Sequence, residues 1–263
     1  MKRSSSAASL VLVVMPLLNS PHAHAQTAEV TRFLVPLQPR TVTGAFGSVW
    51  RTSLTVFYHG DVDTFIWPRI SCGVITCPAG ETLQRGARPR LFQQIASDAV
   101  GLLLVTEKGR ERDFSFEGRV RDESRASESA GTEFPIVPDE EIRAEPVRLL
   151  DVPIRADFRV HLRVFALPGA APQHVLVRYH RHDSLEPLRE ERIALRQFPP
   201  NPVFDVEPSD AEITGIEQLP EAAGASALWI EVTPEEPELR IWAFVSVTNN
   251  TTQEVTLITP QGR

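Results

Sequence analysis

Two segments decide the fold: VWRTSLTVFYH at residues 49–59 and FRVHLRVF at residues 158–165. In the first, Trp50, Thr52, Leu54, Val56 and Tyr58 alternate with Arg51, Ser53, Thr55, Phe57 and His59. In the second, Phe158, Val160, Leu162 and Val164 alternate with Arg159, His161 and Arg163. Successive side chains of a strand leave opposite faces, so a period of two predicts half-buried β-strands with one face on a core. The two segments also align with each other. Trp50 falls on Phe158, Arg51 on Arg159, Leu54 on Leu162, Val56 on Val164 and Phe57 on Phe165, at an offset of 108 residues.

A second pair of segments repeats in the same way. LLLVTEKGRERDFSFEGRVRDES (residues 102–124) and LWIEVTPEEPELRIWAFVSVTNNT (residues 228–251) place Val105-Thr106 on Val232-Thr233 and Val120 on Val247, an offset of 127. Each reads as a hairpin, and each is followed by a short terminal strand closing on proline, FPIVP at 134–138 and TLITP at 256–260. The larger second offset puts extra residues in the second copy. They are expected in the Pro- and acid-rich stretch 199–226, with at most one short helix after Ser209.

Strand-length segments broken by 22 Pro and 14 Gly, with no sustained 3.6-residue period, predict an all-β chain. Two tandem copies of about 120 residues match the size of immunoglobulin-like β-sandwich domains. The expected organisation is a leader at 1–25, a first β-sandwich domain at 26–140 and a second at 141–263, with the acidic, proline-bounded stretch 138–146 as a short, stiff seam.

The opening FLVPLQPRTVTGAFGSVWRTSLTVF, the middle GTEFPIVPDEEIRAEPVRLLDVPIRADFRVHLRVF and the ending IWAFVSVTNNTTQEVTLITP resemble a group of secreted bacterial proteins with tandem immunoglobulin-like β-sandwich domains. The resemblance spans most of the chain after the leader. It implies export and architecture, and carries over no activity, catalytic residue or ligand residue.

Lys2 and Arg3, the apolar run 7–18 and the small-x-small site Ala23-His24-Ala25 form a secretory signal-peptide pattern, so the mature chain is expected to begin at Gln26. The apolar run is shorter than the about 20 residues a membrane-spanning helix needs. The expected compartment is therefore the periplasm, cell surface or medium. Cys72 and Cys77, in SCGVITCP, are expected there as a local disulfide that closes a small loop, contributing about 2 kcal/mol. A net charge of −7, from 27 Lys+Arg against 34 Asp+Glu, opposes binding to nucleic acid.

Catalytic signatures are missing from the sequence. No G-x-S-x-G elbow is present, and the glycine turn GAFGS at 44–48 lacks the Lys-Ser/Thr of a phosphate loop. No cofactor motif is present either. A metal site could be assembled from His180, His182 and Asp183, with His174 upstream on the same parity, or from the turn carboxylates Asp61 and Asp63; Arg178 on the histidine face opposes it. Arg159, His161 and Arg163 suggest cross-strand partners for carboxylates. Trp50 and Trp242 belong to repeated strands and are expected in cores. Trp67 and Trp229 are candidate ligand-binding platforms for a sugar or a protein partner. Asn249 and Asn250 each begin an N-x-T sequon. The expected function is non-catalytic binding or scaffolding of an extracellular or envelope protein or polysaccharide. The alternative is a hydrolase or metal-dependent enzyme with its site at the domain seam.

Overall fold

A computed structural model of the chain describes residues 29–260, apart from residues 38, 45–46, 68–80, 85–89, 93–99, 126–129, 170–171 and 200–206. The expected leader and the Cys72–Cys77 pair lie outside the described residues. Among the described residues the regular structure is β-strand with short 3-10 turns. Among these residues no helix is long and apolar enough to cross a membrane.

The first half holds β1 (Val30–Val35), β2 (Thr41–Thr43), β3 (Val49–Tyr58), β4 (Thr64–Ile66), β5 (Glu81–Leu83), β6 (Arg90–Phe92), β7 (Leu102–Glu107), β8 (Phe114–Asp122), β9 (Thr132–Phe134) and β10 (Val137–Pro138). The second holds β11 (Val147–Pro153), β12 (Phe158–Ala166), β13 (His174–Arg181), β14 (Pro187–Ala194), β15 (Ser209–Ile213), β16 (Ala227–Pro234), β17 (Ile241–Asn249) and β18 (Val255–Ile258). The larger sheets are antiparallel, in the orders β10-β1-β7, β2-β3-β8-β9, β11-β16-β13-β14 and β15-β12-β17-β18.

The repeat read from the sequence reappears as sheet register. Thr52 pairs with Val120 across β3 and β8, and Val160 pairs with Val247 across β12 and β17, the partners that the two offsets make equivalent. The hairpins, however, are not formed. Consecutive strands β7 and β8 enter different sheets, as do β16 and β17, so each segment crosses from one layer to the other. Alternation sets which face of a strand is buried, and is silent about the strand beside it. An immunoglobulin sandwich, ordered ABED and CFG, pairs the neighbours A–B, D–E and F–G. In the second half the consecutive strands that pair are β13–β14 and β17–β18, so the likeness lies in the two-layer plan and not in the strand order.

Each half buries its own apolar cluster. Leu54, Val56, Phe33 and Leu104 belong to the first, and Val160, Leu162, Val177 and Ile230 to the second. A third cluster joins them. In β1 and β7, Phe33, Leu102 and Leu104 face the first core, while Leu34 and Leu103 pack with Phe165, Trp242 and Phe244 on the outer face of the β12–β17 sheet. Both faces of the β1–β7 sheet are thus covered, which explains why these strands carry the unbroken apolar runs FLV and LLL instead of alternation. Gly101 is needed at this contact: a Cβ there would sit 2.7 Å from the Phe165 ring.

The seam 138–146 is pinned to the second half. Arg143 exchanges backbone hydrogen bonds with Ile241, and Arg240 donates to Ile142 O at 2.8 Å and pairs with Asp139 at 3.1 Å. The stretch expected to hold a short helix begins with strand β15 at Ser209, followed by 3-10 turns at Ile216–Gln218 and Pro220–Ala222. In SDAEI, Ala211 and Ile213 pack against the second core, while on the other face buried Asp210 takes a two-pronged contact from Arg196 and exposed Glu212 lies opposite Arg163.

Candidate binding cleft between the two halves

The outer face of the β15-β12-β17-β18 sheet changes character along its length. On β12, Val160, Leu162 and Val164 enter the core, so Arg159, His161, Arg163 and Phe165 share the other face. Phe165, with Trp242 and Phe244, is covered by the first half. Towards the other end the face turns polar, with Arg163, His161 and Arg159 beside Ser246 and Thr248 of β17 and Glu212 of β15. There it lies across a cleft from Arg40, Val42, Trp50, Thr52 and Val120 of the first half, enclosing about 410 Å³. A second cavity of about 680 Å³ shares Trp50, Val120 and Val255 with the first and continues past the turn at residues 251–254. Volumes of this order suit small ligands or a few sugar rings.

The cleft's charged groups are organised from behind. Arg163 donates through Nη2 to Glu212 at 2.7 Å and through Nη1 to Ser246 Oγ at 2.9 Å, and its guanidinium lies over the Phe244 ring, 5.7 Å from the centroid. Burial pulls the Arg163 guanidinium below its usual value, Glu212 opposes that shift, and the like charge of Arg40 adds to it. Glu212 also contacts His161 Nδ1 at 3.2 Å. That hydrogen bond, followed by the Arg163 charge, outweighs burial and holds the Glu212 carboxyl down at about 2. Arg159 donates to Gln253 Oε1 at 2.8 Å. Gln253 is itself buried with a left-handed φ of 58°, anchored to the carbonyl of Asn250 at 2.7 Å. Trp50 has Gly44 against its edge, where a Cβ would stand 2.6 Å from the indole Nε1. Around the cleft the halves are tied by Thr132 Oγ1 to Val255 O at 2.7 Å, Arg125 Nη1 to Thr252 O at 3.0 Å and Val100 N to Asp210 Oδ2 at 2.9 Å.

The residues singled out from the sequence fall elsewhere. Trp67 is 4% exposed and bridges Val105 by backbone hydrogen bonds, so it offers no open platform. Trp229 is half-buried, stacks on His180 at 3.7 Å between centroids, and donates its indole N–H to Ser184 O at 3.3 Å. His180 shares the outer face of β13 with His174 and Arg178, standing opposite Trp229 as Arg178 stands opposite Glu231, while His182 lies in the turn beyond the strand. There the Trp229 indole covers the His180 imidazole, which is 3% exposed, and burial lowers its pKa. His182 and Asp183 are exposed in the turn beyond the strand, with His182 3.7 Å from Asp151. Asp61 and Asp63 are exposed in the first half, Asp61 lying 3.7 Å from Arg110.

The five metal candidates His180, His182, Asp183, Asp61 and Asp63 are not gathered into one group of donors. Among the described residues the group with suitable metal donors is His174, Glu235 and Glu236, whose ligand atoms lie within 4.8 Å of one another. His174 and Glu236 already bond each other at 3.1 Å, and Glu235 pairs with Arg192 at 2.6 Å. The expected partnership of the β12 cations with carboxylates forms at Arg163 and His161, which both meet Glu212, while Arg159 meets an amide oxygen. Trp50, expected in a core, is half-buried at the cleft, and Trp242 is buried between the halves. Ser246 was not singled out from the sequence. The register that sets it opposite His161 could have been drawn from the repeat only after β12 and β17 were known to pair.

In comparisons with known proteins the chain matches no family model, no curated protein and no solved structure, so what the cleft can do is read from its own residues.

Proposed function

We propose that the chain is a secreted, non-catalytic binding or scaffolding protein, made of tandem immunoglobulin-like β-sandwich domains, that recognises an extracellular or envelope polysaccharide or protein through the cleft between its halves. The observation that carries this reading is the cleft itself: a cavity of about 410 Å³ that combines the Trp50 indole, apolar Val42, Val120 and Leu257, and oriented cations. Convergent polar groups on an apolar floor are the general make-up of a ligand site. Export follows from the leader pattern, and with it the Cys72–Cys77 disulfide. Intact mass of exported protein should rise by two hydrogens on reduction, and free thiols beforehand would refute the bond.

The test of function is co-sedimentation of the exported protein with washed bacterial envelopes and a panel of insoluble polysaccharides. Retention should occur on at least one of them and fall on Trp50→Ala, with Trp50→Phe keeping part of it. No retention on any, or retention indifferent to Trp50, sinks the reading.

One observation favours the alternative, a hydrolase with its site at the seam. His161 contacts Glu212 through Nδ1, and the register places Ser246 directly across from His161 on the neighbouring strand, an order of carboxylate, imidazole and hydroxyl over three strands. Against it, Ser246 Oγ accepts from Arg163 at 2.9 Å, and among the described residues no hydrogen bond joins it to His161. A fluorophosphonate probe distinguishes the two: labelling abolished by Ser246→Ala would establish the hydrolase reading in place of the binding one.

A further inference from the structure

The chain is acidic, with 27 Lys+Arg against 34 Asp+Glu, yet among the described residues the charged side chains lining the first cavity are three arginines, a histidine and one glutamate. These cations are not equivalent. Arg163 is spent on Glu212 and Ser246. Arg159 donates to the amide oxygen of Gln253 at 2.8 Å. Arg40 is half-buried and has no carboxylate partner among the described residues, and it lies near enough to Arg163 for the two charges to repel each other. Like charges gathered in a cleft weaken the fold unless an anion comes between them.

The neighbouring surfaces narrow the class of anion. Trp50 lines both cavities, so an occupant passing from one to the other runs along the indole. The second cavity presents Thr251, Thr252 and Thr256, with Arg121, Arg125, Asp122 and Glu254 beside them. Hydroxyls both donate and accept, which suits an array of sugar hydroxyls. An extended peptide would instead be recognised by main-chain pairing with pockets for alternate side chains.

We propose that the cleft binds an acidic oligosaccharide, with a ring carboxylate on the guanidinium group of Arg40, the ring against Trp50 and the following sugar among the threonines of the second cavity. This rests on the cleft being the recognition site of a binding protein, and it adds the chemistry of what is bound.

The test is calorimetric titration of the full exported protein with an oligogalacturonate, with the same oligomer fully methyl-esterified, and with an oligoglutamate peptide. The acid oligomer should bind, its affinity should fall with added salt, and both the ester and the peptide should bind at least about tenfold more weakly. Arg40→Gln should weaken the acid oligomer about tenfold, and Arg40→Lys, which keeps the charge and loses the planar fork, should weaken it less. Near-UV circular dichroism of both variants reports whether the fold is kept.

Equal binding of the ester overturns the anionic assignment, and peptide binding as tight as the oligomer overturns the saccharide assignment. No binding of any probe, with retention on envelopes still dependent on Trp50, overturns this inference and leaves the binding reading standing. Loss of that retention as well removes both.

Discussion

At the scale of single residues, Glu212 shows how one carboxylate sets the chemistry of the cleft. It receives His161 at 3.2 Å and Arg163 at 2.7 Å, and its carboxyl is held at about 2 against an ordinary 4.5. A carboxyl depressed in the folded state contributes stability that is complete above its unfolded value and is lost as the pH falls through the folded one. Urea midpoints should therefore fall as the pH drops from 4.5 towards 2, and Glu212→Gln should flatten that part of the profile. At neutral pH the substitution should cost about 1 kcal/mol, because solvent screens this partly exposed carboxylate. A profile identical in the two proteins would show that Glu212 is not coupled to folding. The pairing of β12 cations with carboxylates was legible in the alternation of Arg159, His161 and Arg163. The identity of the partner was not, because Glu212 lies in a short strand whose apolar face is only Ala211 and Ile213, too brief an alternation to announce it.

Strand β15 makes the same point at the scale of elements. Its Asp210 is 2% exposed, accepts Arg196 Nε at 2.9 Å and Nη2 at 3.1 Å, and accepts the backbone N–H of Val100 from the first half. One carboxylate thus closes the sheet edge and clamps a loop of the other half. Asp210→Ala leaves the Val100 N–H and the Arg196 guanidinium without this acceptor, and should cost about 2–4 kcal/mol in urea unfolding. Amide exchange at Val100 should speed up in the variant more than exchange in β13 and β16. Uniform acceleration would mean that Asp210 supports the second sandwich alone.

At the scale of the whole molecule, Phe165, Trp242 and Phe244 against Leu34 and Leu103 make the two halves one structure. Phe165 and Phe244 stack with rings 5° from parallel and centroids 6.3 Å apart, and Trp242 lies 5.5 Å from Phe244. Phe244→Ala should cost about 3–5 kcal/mol by removing a buried ring between the sheets. Calorimetry should show one unfolding transition in the parent chain, shifted as a whole in the variant. Two resolved transitions in the parent, one of them untouched by the substitution, would show that the halves unfold independently. The cleft depends on this interface, since it opens where the β1–β7 sheet ends and the β3 and β12 sheets face each other directly.

The sequence by itself determined the all-β composition, the buried face of β3 and β12 and the internal repeat. Each of these is carried by local alternation or by self-similarity, which survive without knowledge of neighbours. The tertiary structure alone decided that β7 and β16 cross to the opposite sheet from β8 and β17, that Trp229 covers His180 on the outer face of its sheet, and that Trp50 lines a cleft while Trp67 is buried. It also brought Arg40, Arg159 and Glu212 to one cavity across more than half the chain. The physical reason is that alternation records whether a side chain leaves water and carries no record of which surface it meets. A face buried against its own sandwich and one buried against the other half read alike until the layers are stacked.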